Sequence, residues 1–268
     1  MSERKTSPTR EEGRHVDLIL RATEILECFT PRRSELTLTE LSNLTGLQKS
    51  KLLRLCGTLA SKGHLKRDAE TLKYSLGPRL MVLGRLYENA NSLFQLSKPI
   101  IKELAHETKE TVSLFVVHGS RRLCLVKEDG EQPIRFVNAE GDILDIHRGA
   151  GGVALLAFLD EETRGRVVED LIADPANDLP KSWAQDHEQE FAEVRRKGYA
   201  IGFGSVIPGV AAIGVPVFDA GGSCCASISV AGPIDRFTED RCPILIRQML
   251  DASSRLSADL GYAERDKD

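Results

Sequence analysis

The chain has 268 residues, of which 41% are apolar and 28% are charged, and its formal net charge is −4. This length suits one large domain or two ordinary ones, and the composition is typical of a globular cytoplasmic protein with a sizeable core. No apolar run approaches the ~18 residues that a membrane-spanning helix needs, which argues against a membrane protein.

The charge is distributed unevenly along the chain. Residues 1–92 carry 16 Lys and Arg against 11 Asp and Glu, whereas residues 93–268 carry 20 against 29. Nine basic residues lie between Gly46 and Arg85, and only Asp68 and Glu70 oppose them. A basic segment on an acidic body predicts a polyanionic partner for the first part of the chain only.

The N-terminal segment argues against a signal peptide, and the cysteines argue against a zinc site. Residues 1–14 are polar and lack the apolar stretch of a signal peptide, so we predict a disordered arm there. None of the six cysteines forms a CxxC pair, and no Cys/His cluster has the spacing of zinc ligands. We therefore expect free thiols in a reducing compartment and neither a metal nor another cofactor.

Residues 15–46 contain the patterns of two helices. Apolar residues at helical spacing predict an amphipathic helix over 15–29, followed by the polar loop 32–35. The second helix opens at Thr37, and Glu40 stands three residues later, which is the spacing of a capping box. Gly46 can adopt the positive φ of a tight helix exit.

A third helix is predicted from about residue 48 to 61. Its apolar face is formed by leucines and Cys56, and its first two turns are polar and basic. In helix-turn-helix proteins this part of the second helix of the motif enters the major groove. The alternative is the solvated face of an ordinary helical hairpin. The candidate DNA contacts are Gln48, Lys49, Ser50, Lys51 and Arg54.

The segment after this helix predicts a hairpin of the kind called a wing. Residues 64–67 and 72–75 read as two short strands around the turn 68–71. Its basic residues are Lys66, Arg67 and Lys73. A basic hairpin directly after the candidate reader helix favours DNA binding over the alternative.

Gly77 and Pro78 begin a further helix, which runs to about residue 90. An apolar stripe along it predicts packing against a second copy of the chain or against its own chain. Pro99 is taken as the start of the next helix, which ends at residue 108.

The remainder of the chain mixes strand and helix patterns. Strand-like runs cover 111–119, 121–129 and 133–142, and two more form a hairpin that turns at 220–222. Helices are predicted over 149–158, 160–172, 182–197 and 239–260. This order predicts an α+β domain, with its helices laid on one side of the strands.

The second domain lacks the common catalytic motifs. It has no G-x-S-x-G elbow, no Walker loop and no HExxH. His147 beside Arg148 reads either as a catalytic base next to an anion clamp or as residues at the mouth of a pocket. Small residues in the segments 149–152, 202–205 and 227–231 leave room for a ligand, so we favour a sensor over an enzyme.

Several long motifs in order resemble the IclR family of bacterial transcriptional regulators. They include RATEILECF, LTLTELSNLTGLQKSKLLRLCGTLASKGHLKR, YSLGPRLMVLG, FAEVRRKGYA, GVAAIGVPVFDAGG and ASISVAGPIDRFT. The resemblance implies a winged helix-turn-helix domain at 15–77, a dimerising linker helix at 78–92 and an effector-binding domain at 93–262. That last domain is expected to be a GAF-like α+β fold with a curved antiparallel sheet.

The resemblance also implies partners and site residues. The partners are an operator in double-stranded DNA, a small-molecule effector and further copies of the chain in a dimer or a tetramer. The DNA-facing residues correspond to those named above. The effector-binding residues are His147, Arg148, Gly149, Gly151, Gly202, Ser205, Ser227 and Ser229.

The chain departs from the family pattern at two places. Gln48 and Lys51 replace the usual Pro and Thr of the reader helix, and the usual HATALGKA-like run here reads HRGAGGVA. We therefore expect an organic anion, either aromatic or not, as effector, paired by Arg148. The predicted function is repression of a catabolic operon. The alternatives are an activator of the same type, an enzyme with a DNA-binding appendage and an architectural DNA binder.

Overall fold

A computed structural model describes residues 16–133, 135 and 138–263. The chain divides into two compact units, one up to Ala90 and one from Asn91 onward. The predicted disordered arm, residues 1–14, lies outside the described residues.

The first unit follows the predicted order of helices and strands, with one additional short strand at Glu35–Leu36. Its elements are α1 (Asp17–Glu27), β1 (Glu35–Leu36), α2 (Leu38–Thr45), α3 (Lys49–Ser61), β2 (Leu65–Arg67), β3 (Tyr74–Leu76) and α4 (Pro78–Ala90).

Local sequence signals fix the ends of α2. The Glu40 amide donates to the Thr37 hydroxyl at 3.2 Å, and the Glu40 carboxylate accepts from the Thr37 amide at 2.7 Å. The predicted capping box is therefore confirmed. Gly46 ends the helix with a φ of 68°, which a residue with a side chain would adopt only under strain.

The core of this unit lies between the three helices and the small sheet. Ile25, Leu41, Leu52 and Cys56 are each 0% exposed, and Tyr74 of the sheet packs in the same cluster. Burial of these side chains, at ~1.5–3 kcal/mol each for the large ones, holds α1, α2 and α3 together.

The sheet of the wing differs from the prediction in one edge strand and in the start of its central strand. The strand order is β1-β3-β2, so Glu35 and Leu36, predicted to lie in or beside a loop, pair with β3. The predicted strand 72–75 starts only at Tyr74, because Leu72 takes a left-handed φ of 58°. The Asp68 carboxylate holds this longer turn by accepting from the amides of Glu70 and Thr71.

The second unit has a larger set of elements. They are α5 (Ser92–Thr108), β4 (Thr111–His118), β5 (Arg121–Glu128), β6 (Ile143–Asp145), α6 (Ala150–Phe158), α7 (Glu161–Ala173), α8 (Trp183–Lys197), β7 (Ala200–Phe203), β8 (Val210–Phe218), β9 (Cys224–Pro233) and α9 (Cys242–Asp259). Short 3₁₀ turns cover Pro175–Asn177 and Ile234–Arg236.

These strands form one antiparallel sheet in the order β6-β5-β4-β9-β8-β7. The predicted α+β domain with a curved antiparallel sheet is confirmed. The prediction that helices lie on one side is wrong. Strand alternation gives the sheet two buried faces, with α5 and α9 packed on one and α6, α7 and α8 on the other.

The start of α5 was also predicted wrongly. The helix begins at Ser92, after Asn91 caps it by accepting from the Phe94 amide, and Pro99 lies inside it. Phe94, Ile100 and Ile101 are all buried against the sheet. Continuous packing on both sides of the proline outweighs the hydrogen bond that it cannot make.

Two further element boundaries differ from the prediction for local reasons. The run 133–142, predicted as a strand, falls partly on residues outside the description, and its described end is a turn in which Asp142 accepts from the Ala139 amide. The strand of this region is β6 instead. The last helix starts at Cys242 because a turn beginning at Thr238 comes first.

Candidate functional site

The reader helix α3 presents a polar face to solvent. Gln48 occupies its N-cap position, and Lys49, Ser50 and Arg54 are exposed. With about 100° of rotation per residue, Ser50 and Arg54 lie opposite the buried pair of Leu52 and Cys56 and point most directly outward. These side chains are free to meet a base edge or a phosphate.

Lys51 is arranged differently from the other predicted contacts. It lies on the side of α3 that faces α1, where its Nζ is 3.0 Å from the Asp17 carboxylate. This pairing is the first cause of the lowered pKa of Asp17. The charge of Lys51 is therefore partly neutralised by its own chain.

The predicted basic residues of the wing also differ in their surroundings. Lys66 and Arg67 on β2 are exposed, and the Arg67 guanidinium lies 5.6 Å from the centre of the Tyr74 ring. Lys73 is half-buried, and its Nζ is 3.6 Å from a Glu35 carboxylate oxygen. Lys66 and Arg67 are thus the more available cations.

Leu53 belongs to this surface and was missed in the sequence. It is 49% exposed on α3, one position before Arg54. An apolar side chain on a reader helix can contact the methyl group of thymine. The available signal was that Leu53 falls outside the apolar stripe of its own helix.

The second unit contains two adjoining cavities beside the start of α6. The larger has a volume of ≈ 420 Å³, and the smaller has a volume of ≈ 40 Å³. They share four lining residues: Gly149, Ala150, Gly202 and Ser205.

Most of the predicted effector residues line these cavities. His147 and Arg148 line the larger one, Gly151 and Ser229 line the smaller one, and Gly149, Gly202 and Ser205 line both. Ser227 lines neither cavity. It is fully buried, and its hydroxyl donates to the Gly151 carbonyl oxygen at 2.7 Å, so it fastens β9 to α6 instead.

Aromatic rings form one wall of the larger cavity. Trp183 stacks on His187 with 4.4 Å between ring centres and meets His147 edge-on at 6.0 Å. Burial lowers the pKa of His147. Its Nδ1 has no hydrogen-bond partner among the described residues, so nothing there fixes the tautomer that a general base needs.

Arg122 lines the smaller cavity and was not predicted. It is 5% exposed, and its guanidinium lies 4.4 Å from the centre of the Phe115 ring. The sequence held one signal, because Arg122 alternates with Leu123 and therefore shares an inward face with the buried Cys124.

Within residues 16–133, 135 and 138–263, no group of His, Cys, Asp and Glu side chains has an arrangement that could hold a metal ion. None of the helices in that part of the chain is long and apolar enough to cross a membrane.

Family models match both units. A model of the IclR helix-turn-helix domain matches residues 18–69, and a model of the C-terminal domain of the bacterial transcriptional regulator IclR matches residues 87–258. Together with the fold, these matches define a DNA-binding transcriptional regulator of the helix-turn-helix class.

Similar proteins make the assignment more specific. The chain is 31% identical to the transcriptional regulator KipR of Bacillus subtilis, over 91% of this chain and 97% of that one. It is 25% identical to the transcriptional repressor IclR of Escherichia coli, over 84% and 83% of the two chains. The chain belongs to the IclR family.

Solved structures share the fold. An IclR transcriptional regulator from Alicyclobacillus acidocaldarius has a TM-score of 0.78 at 23% identity, covering 92% of this chain and all of that one. An IclR homologue from Microbacterium hydrocarbonoxydans, solved with 4-hydroxybenzoate, has a TM-score of 0.75 at 21% identity, covering 91% and 98%.

Proposed function

We propose that the chain is a repressor of a catabolic operon whose DNA binding is controlled by a small organic effector. The observation that carries the DNA-binding part is the outward face of α3, where Ser50 and Arg54 are uncovered and Gln48 and Lys49 flank them. Lys66 and Arg67 add exposed cations on the wing. Arg and Gln can pair with guanine and adenine edges, while Lys and Ser hold phosphates.

Binding-site selection from random duplexes would supply the operator, and Arg54→Ala would then test the surface. If Arg54 pairs with a base, the variant loses ~1–3 kcal/mol on the selected site and little on scrambled DNA. If it binds a phosphate, the loss is equal on both, and the slope of log K against log salt falls by about 0.9. Lys62→Ala, which removes the same charge at the other end of α3, is the control. If the Arg54→Ala variant binds both duplexes as the wild type does, this surface of α3 is excluded as the DNA contact.

Repression, rather than activation, is proposed because the E. coli relative is named a repressor. A reporter gene fused to the selected operator distinguishes repression from activation. Deleting the regulator should raise expression, and a fall in expression would make the chain an activator.

A second copy is proposed to pack on α4. Met81, Leu83 and Leu86 are 68%, 42% and 59% exposed on this helix, which is more apolar surface than one helix usually leaves uncovered. Leu86→Glu should shift the mass measured by light scattering toward the monomer, whereas Asn89→Glu, which adds the same charge on a polar position, should not. A monomeric wild type would contradict the dimer.

The effector is proposed to bind in the two cavities beside α6, without being chemically changed. The unpartnered Nδ1 of His147 supports a binding role over that of a general base. A bound effector should be recovered intact after prolonged incubation, and a product would favour the enzyme instead.

A further inference from the structure

Arg122 is a buried charge with no counter-ion among the residues that the structure describes. It is 5% exposed, and its Nε is buried without a hydrogen-bond partner among the described residues. Burial lowers the pKa of Arg122 to about 10, which still leaves it protonated at neutral pH. A desolvated charge of this kind is costly unless something pairs with it.

The side chains around Arg122 leave an opening at its guanidinium. Phe115 covers one face, and a Cβ added to Gly149 or Gly151 would lie 3.2 Å or 3.0 Å from a guanidinium nitrogen. The absence of these two side chains keeps the space open. The first turn of α6 starts here without a side-chain cap, so its amides and helix dipole add positive potential beside the guanidinium.

Arg121 and Arg148 both lie beside the carboxylate of Asp145. Asp145 attracts Arg122 only from a distance, because its carboxylate accepts from Arg121 at 2.8 Å. Arg148, the anion partner expected from the sequence, is 48% exposed and lies 3.9 Å from Asp145. Arg122 is therefore the desolvated cation of the site, and Arg148 is a solvated one at its rim.

We propose that Arg122 binds the carboxylate of a monoanionic effector in the smaller cavity, while the rest of the effector lies in the larger one. This rests on the proposed function, in which the second unit binds an effector. A water needs about 10–15 Å³, so the ≈ 40 Å³ of the smaller cavity holds roughly three heavy atoms, the number in a carboxylate. A guanidinium fork matches a carboxylate with two parallel hydrogen bonds.

The proposal is tested by scanning calorimetry of the full chain with acetate, propionate and benzoate, each against its neutral amide at matched ionic strength. At least one carboxylate should raise the Tm of the wild type more than its amide does. Arg122→Met should lose this response, with affinity weakened roughly 10–100-fold. Arg247→Met, which removes an exposed arginine of α9 that lines neither cavity, is the matched control and should keep it.

Two further measurements distinguish binding from a structural role. Without ligand, Arg122→Met should be at least as stable as the wild type, because it removes an unpaired buried charge. Gly151→Ala keeps the charge but adds a methyl group 3.0 Å from the guanidinium, and it should also lose the response. A wild type that no carboxylate stabilises, or an Arg122→Met variant that is less stable yet responds normally, would overturn the proposal.

DNA affinity measured on the same samples separates this proposal from the proposed function. Carboxylates that stabilise the wild type through Arg122 but leave DNA affinity unchanged would refute the effector role and keep the site. Carboxylates that change DNA affinity equally in the wild type and Arg122→Met would refute the role of Arg122 and keep the regulator.

Discussion

Glu110 holds the end of α5 and the start of β4 to the segment that follows β9. Its carboxylate is fully buried and accepts from Arg236 at 2.6 and 2.7 Å and from Arg241 at 2.9 Å. Arg241 also donates to the Thr108 carbonyl oxygen at 2.6 Å. Three charge-assisted hydrogen bonds therefore depend on one carboxylate.

Glu110→Gln removes the charge while keeping the shape. The amide oxygen can still accept, but its NH₂ group faces arginine donors, so at least one bond is lost. Breaking a buried pair costs ~3–5 kcal/mol, and the side chains of Arg236 and Arg241 are 25% and 30% exposed, so water offsets part of this. We expect a loss of about 2–4 kcal/mol in the free energy of unfolding.

The chain has a single tryptophan, Trp183, which is buried in the second unit, so its fluorescence reports the unfolding of that unit. For a unit of this size the loss corresponds to a fall in Tm of roughly 4–16 °C. Glu103→Gln breaks a solvent-exposed pair with Arg255 and should leave Tm unchanged. If both variants unfold at the same temperature, the carboxylate of Glu110 adds nothing to stability beyond its shape.

Other predictions concern both units. Thr37→Ala removes the capping box at a cost of ~1 kcal/mol, so amide exchange in α2 should be roughly fivefold faster, whereas exposed Thr39→Ala should not change it. Asp17→Asn removes the ion pair to Lys51, so DNA binding should become tighter and the slope of log K against log salt should steepen by up to ~0.9. Asp17→Asn introduced into a Lys51→Ala variant should have neither effect. Burial lowers the pKa of His147 below 6.5, so the unfolded chain binds its proton more readily and stability falls as the pH drops below 6.5. His147→Gln should weaken this dependence in calorimetric scans, and an unchanged slope would contradict it.

Two of the differences between the predicted and observed elements share a cause. Pro99 inside α5 and the short strand β1 are both decided by packing across the chain, which outweighs local preference. Leu72 is the opposite case, because the Asp68 carboxylate organises a turn longer than the pattern suggested.

Local patterns were sufficient where the physics is local. The Thr37 and Glu40 spacing, the glycine exit at Gly46 and the period of the apolar faces act over one helical turn, and they defined the winged helix-turn-helix unit without a structure. Most of the residues assigned to the pocket through the resemblance also line a cavity. A chain that has the family's motifs in the same order follows the same path through the fold.

Only the tertiary structure decided which charges are free. Asp17 neutralises Lys51 from 34 residues away, and Asp145 pairs with Arg121, whereas the buried Nε of Arg122 has no partner among the described residues. Ion pairing and desolvation depend on distances between side chains that are remote in sequence. Their energies change strongly over a few ångströms. A one-residue alternation along β5 was enough to bury Arg122 beside the cavity.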